Sequence, residues 1–173
     1  MNILNSKYAL VTPPRCGTRW VLGLIHESLN MGLKQTHTFN MDLLGDRKIL
    51  MMVRNPYHRL RSIFRWQKTI NTIHSNVTWE EFVFSQNHPS ITEHYSENID
   101  KVFKFIKLEE VHQQIQDILG ITLPKYDNEY FDKEYDDGLT FKEAYSNPKL
   151  LYKVNEQFKL DFDKFGYNII NKN

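Results

Sequence analysis

The 173-residue chain has a single cysteine and no long apolar run, and each shortage excludes a class of protein. One cysteine cannot form an internal disulfide, and such usage is typical of a reducing compartment. No apolar run approaches the roughly 20 residues that a membrane-spanning helix needs. The opening residues, MNILNSKYAL, lack the basic and apolar segments of a secretory signal. We therefore expect a cytoplasmic protein without a membrane span.

Arginine is absent beyond Arg65, although the net charge of the whole chain is only +1. Residues 1–65 hold seven arginines and three lysines against three acidic residues, a formal charge of +7, whereas residues 66–173 carry −6. Guanidinium groups are suited to bind phosphate or sulfate through two parallel hydrogen bonds. The first third of the chain is thus predicted to bind an anion. The acidic second part, without any nucleic-acid-binding motif, argues against nucleic acid as a partner.

Short apolar runs alternate with helical patterns along the chain. Strands are predicted over residues 8–11, 34–39, 48–54 and 101–108. Helices are predicted over 18–31 with a C-cap at Gly32, from Pro56 to 70, after capping boxes at Thr78 and Thr140, over 109–119 ahead of Gly120, and from Pro148 to Gly166. Because strands alternate with helices, we expect right-handed βαβ units. The predicted fold class is α/β, with one three-layer αβα domain over residues 1–173 and a central parallel sheet.

The loop TPPRCGTRW, residues 12–20, lies between a predicted strand and a predicted helix. Ligands of such sheets bind at the carboxyl ends of the strands, and a helix N-terminus offers unpaired N–H groups. Gly17 allows the backbone to approach a ligand closely, and the Thr18 hydroxyl is a further donor. Arg15 and Arg19 add positive charge. The loop therefore predicts an anion-binding cradle, and the plainer alternative is a helix start with two surface arginines.

Two well-known phosphate loops do not fit this stretch. The Walker A motif of ATP- and GTP-using proteins needs a glycine where Thr12 lies and a lysine where Thr18 lies. A cysteine phosphatase loop would need an arginine six residues after Cys16, and that position is Leu22. Cys16 is accordingly interpreted as a small loop residue rather than a nucleophile.

A second motif, VRNPYHRLRS, follows the predicted strand 48–54. Arg54 ends that strand, and Ser62 lies eight residues later, about two turns into the next helix. We predict that the two side chains converge on a further phosphate.

With both motifs, the sequence resembles the sulfotransferases that use 3′-phosphoadenosine 5′-phosphosulfate (PAPS), in the form of a small bacterial, viral or carbohydrate-modifying member. PRCGTRW is similar to the family's 5′-phosphosulfate loop and differs from it at Cys16 and Arg19. Arg54 and Ser62 match its 3′-phosphate motif in residue type and spacing. FIKLEEV and DFDKFGY are weaker similarities. The resemblance implies a sulfotransferase fold related to the P-loop NTPases.

The resemblance also implies roles for individual residues. Arg15 would contact the bridging oxygen of the phosphosulfate, and Arg54 with Ser62 would select PAPS over ATP. Trp20 would either stack on adenine or face the core. The implied co-substrate is PAPS, the product is 3′-phosphoadenosine 5′-phosphate (PAP), and no metal is required. The cofactor-binding residues implied in this way are Arg15, Cys16, Gly17, Thr18, Arg19, Trp20, Arg54 and Ser62.

The acceptor, a hydroxyl or amine on a small molecule or glycan, needs a general base. His37 is one candidate, because cytosolic members carry a Lys-Thr-His strand end and this chain has Thr36 and His37, with Gln35 in place of the lysine. Glu27 is the rival, since carbohydrate-modifying members use a glutamate. Two other functions stay open. One is a non-catalytic member of the fold that binds a nucleotide or a partner, and the other is a small P-loop kinase, which the failed Walker motif disfavours.

Overall fold

The computed structural model describes residues 1–30, 32–33, 36–124 and 137–171. It divides the chain into two compact units. The first unit comprises Met1–Asn55 and Tyr95–Tyr130, and the second comprises Pro56–His94 and Phe131–Asn173. The assignment of the whole chain to a single domain stays a prediction.

A four-stranded mixed sheet forms the centre of the first unit. Its strands, in spatial order, are β1 (Asn2–Ile3), β2 (Tyr8–Val11), β3 (Lys48–Val53) and β4 (Val102–Lys107). β2, β3 and β4 are parallel, with Leu10 opposite Leu50 and Met51 opposite Phe105. Three predicted strands are confirmed. The expected parallel sheet is found in these three strands, whereas β1 pairs with β2 in the antiparallel direction and makes the whole sheet mixed.

The strand predicted over residues 34–39 is wrong in its described part. Thr36 to Phe39 form no strand, and residues 34 and 35 lie outside the described ranges. The sheet explains the result, because β2 already has β1 on one edge and β3 on the other. A further strand has no place beside the middle of β2, where Ala9 and Leu10 are already paired with β1.

Eight α-helices lie within the described ranges: α1 (Thr18–Leu29), α2 (Pro56–Thr69), α3 (Trp79–Ser85), α4 (Ile91–His94), α5 (Val111–Leu119), α6 (Phe141–Ala144), α7 (Pro148–Gln157) and α8 (Lys159–Phe165). Short 3₁₀ helices span Met41–Leu43, Ile99–Lys101 and Leu108–Glu110. None of the helices in these ranges has the length and apolarity to cross a membrane.

Several helices end where their capping residues predict, but two predictions about helix ends are wrong. Gly120 and Gly166 end α5 and α8 in the left-handed conformation, as predicted. The C-cap of α1 is Asn30, with φ of 50°, and not Gly32. Asparagine tolerates this conformation better than other non-glycine residues, so the helix ends two residues early. The last predicted helix is broken at Phe158, which separates α7 from α8.

The burial of β3 explains why its sequence is one continuous apolar run. Every residue from Ile49 to Val53 is at most 2% exposed, as expected for a central parallel strand covered on both faces. On α1, the buried residues Val21, Leu24 and Ile25 repeat at helical spacing and form the apolar stripe of an amphipathic helix. Ala9, Leu10 and Val11 of β2 are also 0% exposed, so β2 and α1 fix both ends of the loop between them.

The second unit is built around aromatic side chains. Its core includes Phe64, Trp79 and Phe82, whose ring centroids lie 5.0–6.0 Å apart. The Trp79 indole donates to the Ala144 carbonyl at 2.7 Å, so its polar atom is satisfied inside the core. The capping boxes predicted at Thr78 and Thr140 are both confirmed, and they start α3 and α6.

Candidate functional site

The loop from Thr12 to Gly17 is a tight turn between β2 and α1. The Cys16 N–H donates to the Pro13 carbonyl at 3.2 Å. Arg15 has a φ of 65° and Gly17 a φ of 74°, so both take the left-handed conformation. That conformation is strained for arginine, and such strain is concentrated at functional sites.

Gly17 is required by space as well as by backbone conformation. A Cβ atom at this position would lie 2.3 Å from Cδ1 of Leu108. Gly17 is the N-cap of α1, and no side chain caps this helix. The first bond of the helix ladder runs from the Val21 N–H to the Gly17 carbonyl at 2.9 Å. The N-terminus of α1 therefore presents its positive end without a capping side chain.

Thr18 brings a buried hydroxyl to the same turn. The residue is 5% exposed, and its Oγ1 has no hydrogen-bond partner among the described residues. A buried polar atom left in this way costs about 1–3 kcal/mol. Its place at the uncapped start of α1 makes it a candidate donor to a bound anion.

Arg54 joins the second sequence motif to this loop. It directly follows β3, and its Nη1 donates to the carbonyl oxygen of Arg15 at 3.1 Å. Burial lowers the pKa of Arg15 to about 10, and the positive charges of Arg54 and Arg19 act in the same direction. Three like charges close enough to shift a pKa repel one another. A multiply charged anion would relieve that repulsion.

Cys16 and Trp20 pack against the protein interior. Cys16 is 0% exposed, which agrees with its interpretation as a small loop residue. Trp20 is half-buried, and its ring meets His112 of α5 edge-on with a centroid separation of 5.3 Å. Trp20 thus has a packing role inside the first unit, and its predicted stacking on adenine stays a prediction.

His37 is held against the loop by its ring. Nδ1 lies 2.7 Å from the Thr12 carbonyl oxygen. Since a carbonyl only accepts, Nδ1 carries the proton, and Nε2 of the neutral ring is left as the acceptor. None of the described residues forms a hydrogen bond with Nε2. When the ring is neutral, Nε2 is therefore the atom that can accept a proton, as a general base must.

Glu27, the rival candidate, lies elsewhere on the first unit. It is exposed on α1, nine residues beyond Thr18. At 1.5 Å per residue the two Cα positions differ by about 13 Å along the helix axis. Of the two candidate bases, His37 is therefore the one in contact with the loop.

Ser62 belongs to the second unit, in the second turn of α2, where it is 6% exposed. Its predicted convergence with Arg54 joins residues of different units and stays a prediction.

The basic residues of α2 are structural. Arg59 and Arg61 are only 5% and 8% exposed, so they are buried despite their charge. Arg61 donates twice to Asp137, at 2.6 and 3.0 Å, and Arg65 donates to the same carboxylate at 2.9 Å. Burial acts to raise the pKa of Asp137, but these hydrogen bonds outweigh it and lower the pKa to about 2.

Sequence reasoning missed three residues around the loop. Leu108 lies against Gly17, and the Glu109 carboxylate accepts the Asn55 N–H at 3.0 Å, next to Arg54. The hydroxyl of Tyr95 donates to the main-chain carbonyl of His37. FIKLEEV was a weak signal for the first two residues, whereas nothing local marks Tyr95.

In the described ranges, no group of three or more histidine, cysteine, aspartate or glutamate side chains is arranged to hold a metal ion. A scan against protein-family models gave no match, and the sequence matches no curated protein.

Proposed function

We propose that this chain is a PAPS-dependent sulfotransferase with a three-layer αβα fold. The observation that carries the proposal is the hydrogen bond from Arg54 to the Arg15 carbonyl. Arg15 and Arg54 are 39 residues apart, come from the two motifs with anion-binding chemistry, each follow a parallel strand, and meet in the first unit. A ligand with phosphate groups at two ends fits such a pair better than a single phosphate does.

The loop would hold the phosphosulfate end of the ligand. The N–H groups at the start of α1 and the Thr18 hydroxyl donate to the 5′-phosphate, with Cys16, Gly17 and Arg19 completing the turn. Arg15 faces the bridging oxygen, where negative charge develops. With a pKa of about 10 its guanidinium stays charged at neutral pH, so it acts as an electrostatic stabiliser of that oxygen.

Arg54, together with Ser62, would bind the 3′-phosphate. Such a contact distinguishes PAPS from ATP, which has no phosphate at that position. The scheme needs no metal, because arginines and helix N–H groups provide the positive charge. The absence of a Walker lysine and first glycine is consistent with a ligand other than ATP.

PAPS supplies the sulfuryl group: the acceptor oxygen or nitrogen bonds to sulfur while the bond from sulfur to the bridging oxygen breaks and PAP leaves. His37 receives the acceptor proton at Nε2, and its Nδ1–H bond to Thr12 keeps the ring oriented. A positioned general base contributes roughly 10²–10⁴-fold in rate. Holding the acceptor and PAPS in line for the displacement increases the rate further.

A non-catalytic PAP-binding protein of the same fold is the second candidate. Gln35 in place of the lysine of active relatives favours it. It predicts the same binding without turnover.

Turnover separates the two candidates. PAP release from PAPS should be followed with a panel of glycans, small alcohols and amines as acceptors, using the natural chain, His37→Ala and His26→Ala. His26 is an exposed histidine of α1 and serves as the matched control. An enzyme should release PAP with one acceptor class, lose about 10²-fold or more in His37→Ala and remain active in His26→Ala. Binding of PAPS without release by any variant would favour the non-catalytic protein.

A further inference from the structure

The segment that carries His37 has no sheet partner to hold it. Residues 36–39 form no regular structure, so hydrogen bonds to other parts of the first unit fix their position. The Thr12 hydroxyl donates to the Thr36 carbonyl at 3.2 Å, and the Met1 nitrogen donates to the Thr38 carbonyl at 2.5 Å. Within the described ranges, the main chain of His37 itself is bound by the hydroxyl of Tyr95, which donates to its carbonyl.

Tyr95 is well suited to hold a neighbouring segment in place. It is 7% exposed, and its ring packs edge-on against Phe39 with centroids 5.6 Å apart. Its own carbonyl accepts the N–H groups of Asn98 and Ile99 at 2.9 and 2.8 Å, which ties it to the 3₁₀ helix ahead of β4. The residue whose hydroxyl donates to the His37 carbonyl is thus itself held by main-chain hydrogen bonds just ahead of β4.

We propose that Tyr95 is a positioning residue that sets the tautomer of His37. Its hydroxyl fixes the main chain of His37 so that the ring reaches the Thr12 carbonyl, and that contact keeps the proton on Nδ1 and leaves Nε2 as the acceptor. Two anchors from different elements, one on the main chain and one on the ring, define the orientation of the imidazole. The catalytic consequence rests on the proposed function, whereas the tautomer does not.

Removing the Tyr95 hydroxyl should release the ring without disturbing the anion loop. The hydroxyl contacts the main chain of His37, and Arg15, Gly17 and Thr18 do not depend on it for the contacts described above. A histidine side chain free in water favours the proton on Nε2. Tyr95→Phe is therefore expected to shift His37 from the Nδ1–H form towards the Nε2–H form.

The tautomer is measured directly by nitrogen NMR of the full chain labelled with ¹⁵N-histidine. His37→Gln identifies the His37 signals among those of the seven histidines. Tyr145→Phe is the matched control, because Tyr145 is also buried and its hydroxyl also donates to a main-chain carbonyl, that of Tyr57, at 2.6 Å in the second unit. The natural chain and Tyr145→Phe should show Nδ1–H, and Tyr95→Phe should show a raised fraction of Nε2–H.

A His37 spectrum unchanged in Tyr95→Phe would overturn the inference, as would an Nε2–H form in the natural chain. Where Tyr95→Phe does not fold, Phe39→Leu replaces it, because this change loosens the tyrosine ring and keeps its hydroxyl. The expected result is again a raised Nε2–H fraction, and an unchanged spectrum overturns the proposal.

Turnover then tests the consequence for catalysis. With the acceptor found in the panel, Tyr95→Phe should lower kcat by about tenfold with little change in the KM for PAPS, because misplaced groups lose rate rather than binding. Tyr145→Phe should keep the natural kcat. If His37→Ala turns over normally, His37 is not the base and the proposed function loses that residue. If His37→Ala is inactive while Tyr95→Phe is not, only the positioning role is overturned.

Discussion

The Arg54 guanidinium donates to the carbonyl oxygen of Arg15 at 3.1 Å and so connects the end of β3 to the loop before α1. The bond restrains a residue whose φ of 65° is strained. It also brings a second positive charge to a residue that is already partly buried, and burial together with that charge lowers the pKa of Arg15. An arrangement that is unfavourable for cations alone is favourable once an anion binds between them.

Gly17→Ala should destabilise the protein by about 2–4 kcal/mol. The left-handed φ costs roughly 1–2 kcal/mol for alanine, and the new Cβ would overlap Leu108. Gly120→Ala is the matched control, since its φ is 65° and no atom lies within 4 Å of the added Cβ. Gly120→Ala should lower the free energy of unfolding only by the cost of the left-handed backbone, about 1–2 kcal/mol. Urea unfolding measures both.

A double-mutant cycle isolates the contact between Gly17 and Leu108. Leu108→Ala makes room for the added methyl group, so the cost of Gly17→Ala should be smaller in that background. Equal costs in both backgrounds would mean that Leu108 does not restrict this position.

Thr18→Val should separate stability from ligand binding. The Thr18 hydroxyl is buried without a partner among the described residues, so replacing it with a methyl group of similar shape should leave the free energy of unfolding unchanged or slightly higher. Affinity for PAP should fall about tenfold, because a hydrogen bond to a charged phosphate is lost. Thr18→Ser keeps the hydroxyl and should bind nearly as the natural chain does. A large loss of stability in Thr18→Val, measured by thermal unfolding, would contradict this role.

Asp137 should make the second unit sensitive to acid. Its pKa of about 2 in the folded chain lies below the value of about 3.9 expected on unfolding. Its contribution to stability is therefore complete above about pH 4 and is lost as the pH falls towards 2. Asp137→Asn should lower stability at pH 7 by about 3 kcal/mol, because Arg61 and Arg65 lose a buried carboxylate.

The control for that prediction is Asp163→Asn, an exposed aspartate on α8. It should leave the free energy of unfolding within about 0.5 kcal/mol of the natural value. The drop in stability between pH 4 and pH 2 should be smaller in Asp137→Asn than in either other protein. A drop of the same size in all three would show that Asp137 is not its source.

The sequence predicted those parts of the fold that local chemistry determines. β3 was predictable because a strand buried on both faces is apolar throughout, and the helices after Thr78 and Thr140 because a capping box uses residues three positions apart. β1 was not predictable, since a strand of two residues is too short to show an alternating pattern of apolar and polar residues. Residues 36–39 have the composition of a strand but do not join the sheet, and that outcome depends on the whole fold.

Some residues of the candidate site could likewise be predicted from the sequence, and others could not. Arg15, Gly17 and Thr18 were predictable because the loop and the helix N-terminus lie together in sequence. The contact between Arg54 and Arg15 follows from parallel strands ending at one edge. Tyr95 was not predictable, because it lies 58 residues from His37 and only the folded chain brings its hydroxyl to that carbonyl.

Calorimetric titration with PAP shows whether Arg54 and the loop bind a nucleotide with a 3′-phosphate, and ATP with magnesium is the competing ligand. Arg54→Ala is compared with Arg47→Ala, which removes the same charge at the other end of β3, where Arg47 donates to the Asn5 carbonyl at 2.9 Å. We predict that the natural chain and Arg47→Ala bind PAP in preference to ATP, and that Arg54→Ala binds PAP at least about tenfold more weakly. No binding of PAP by the natural chain, or equal binding by Arg54→Ala, would contradict the account.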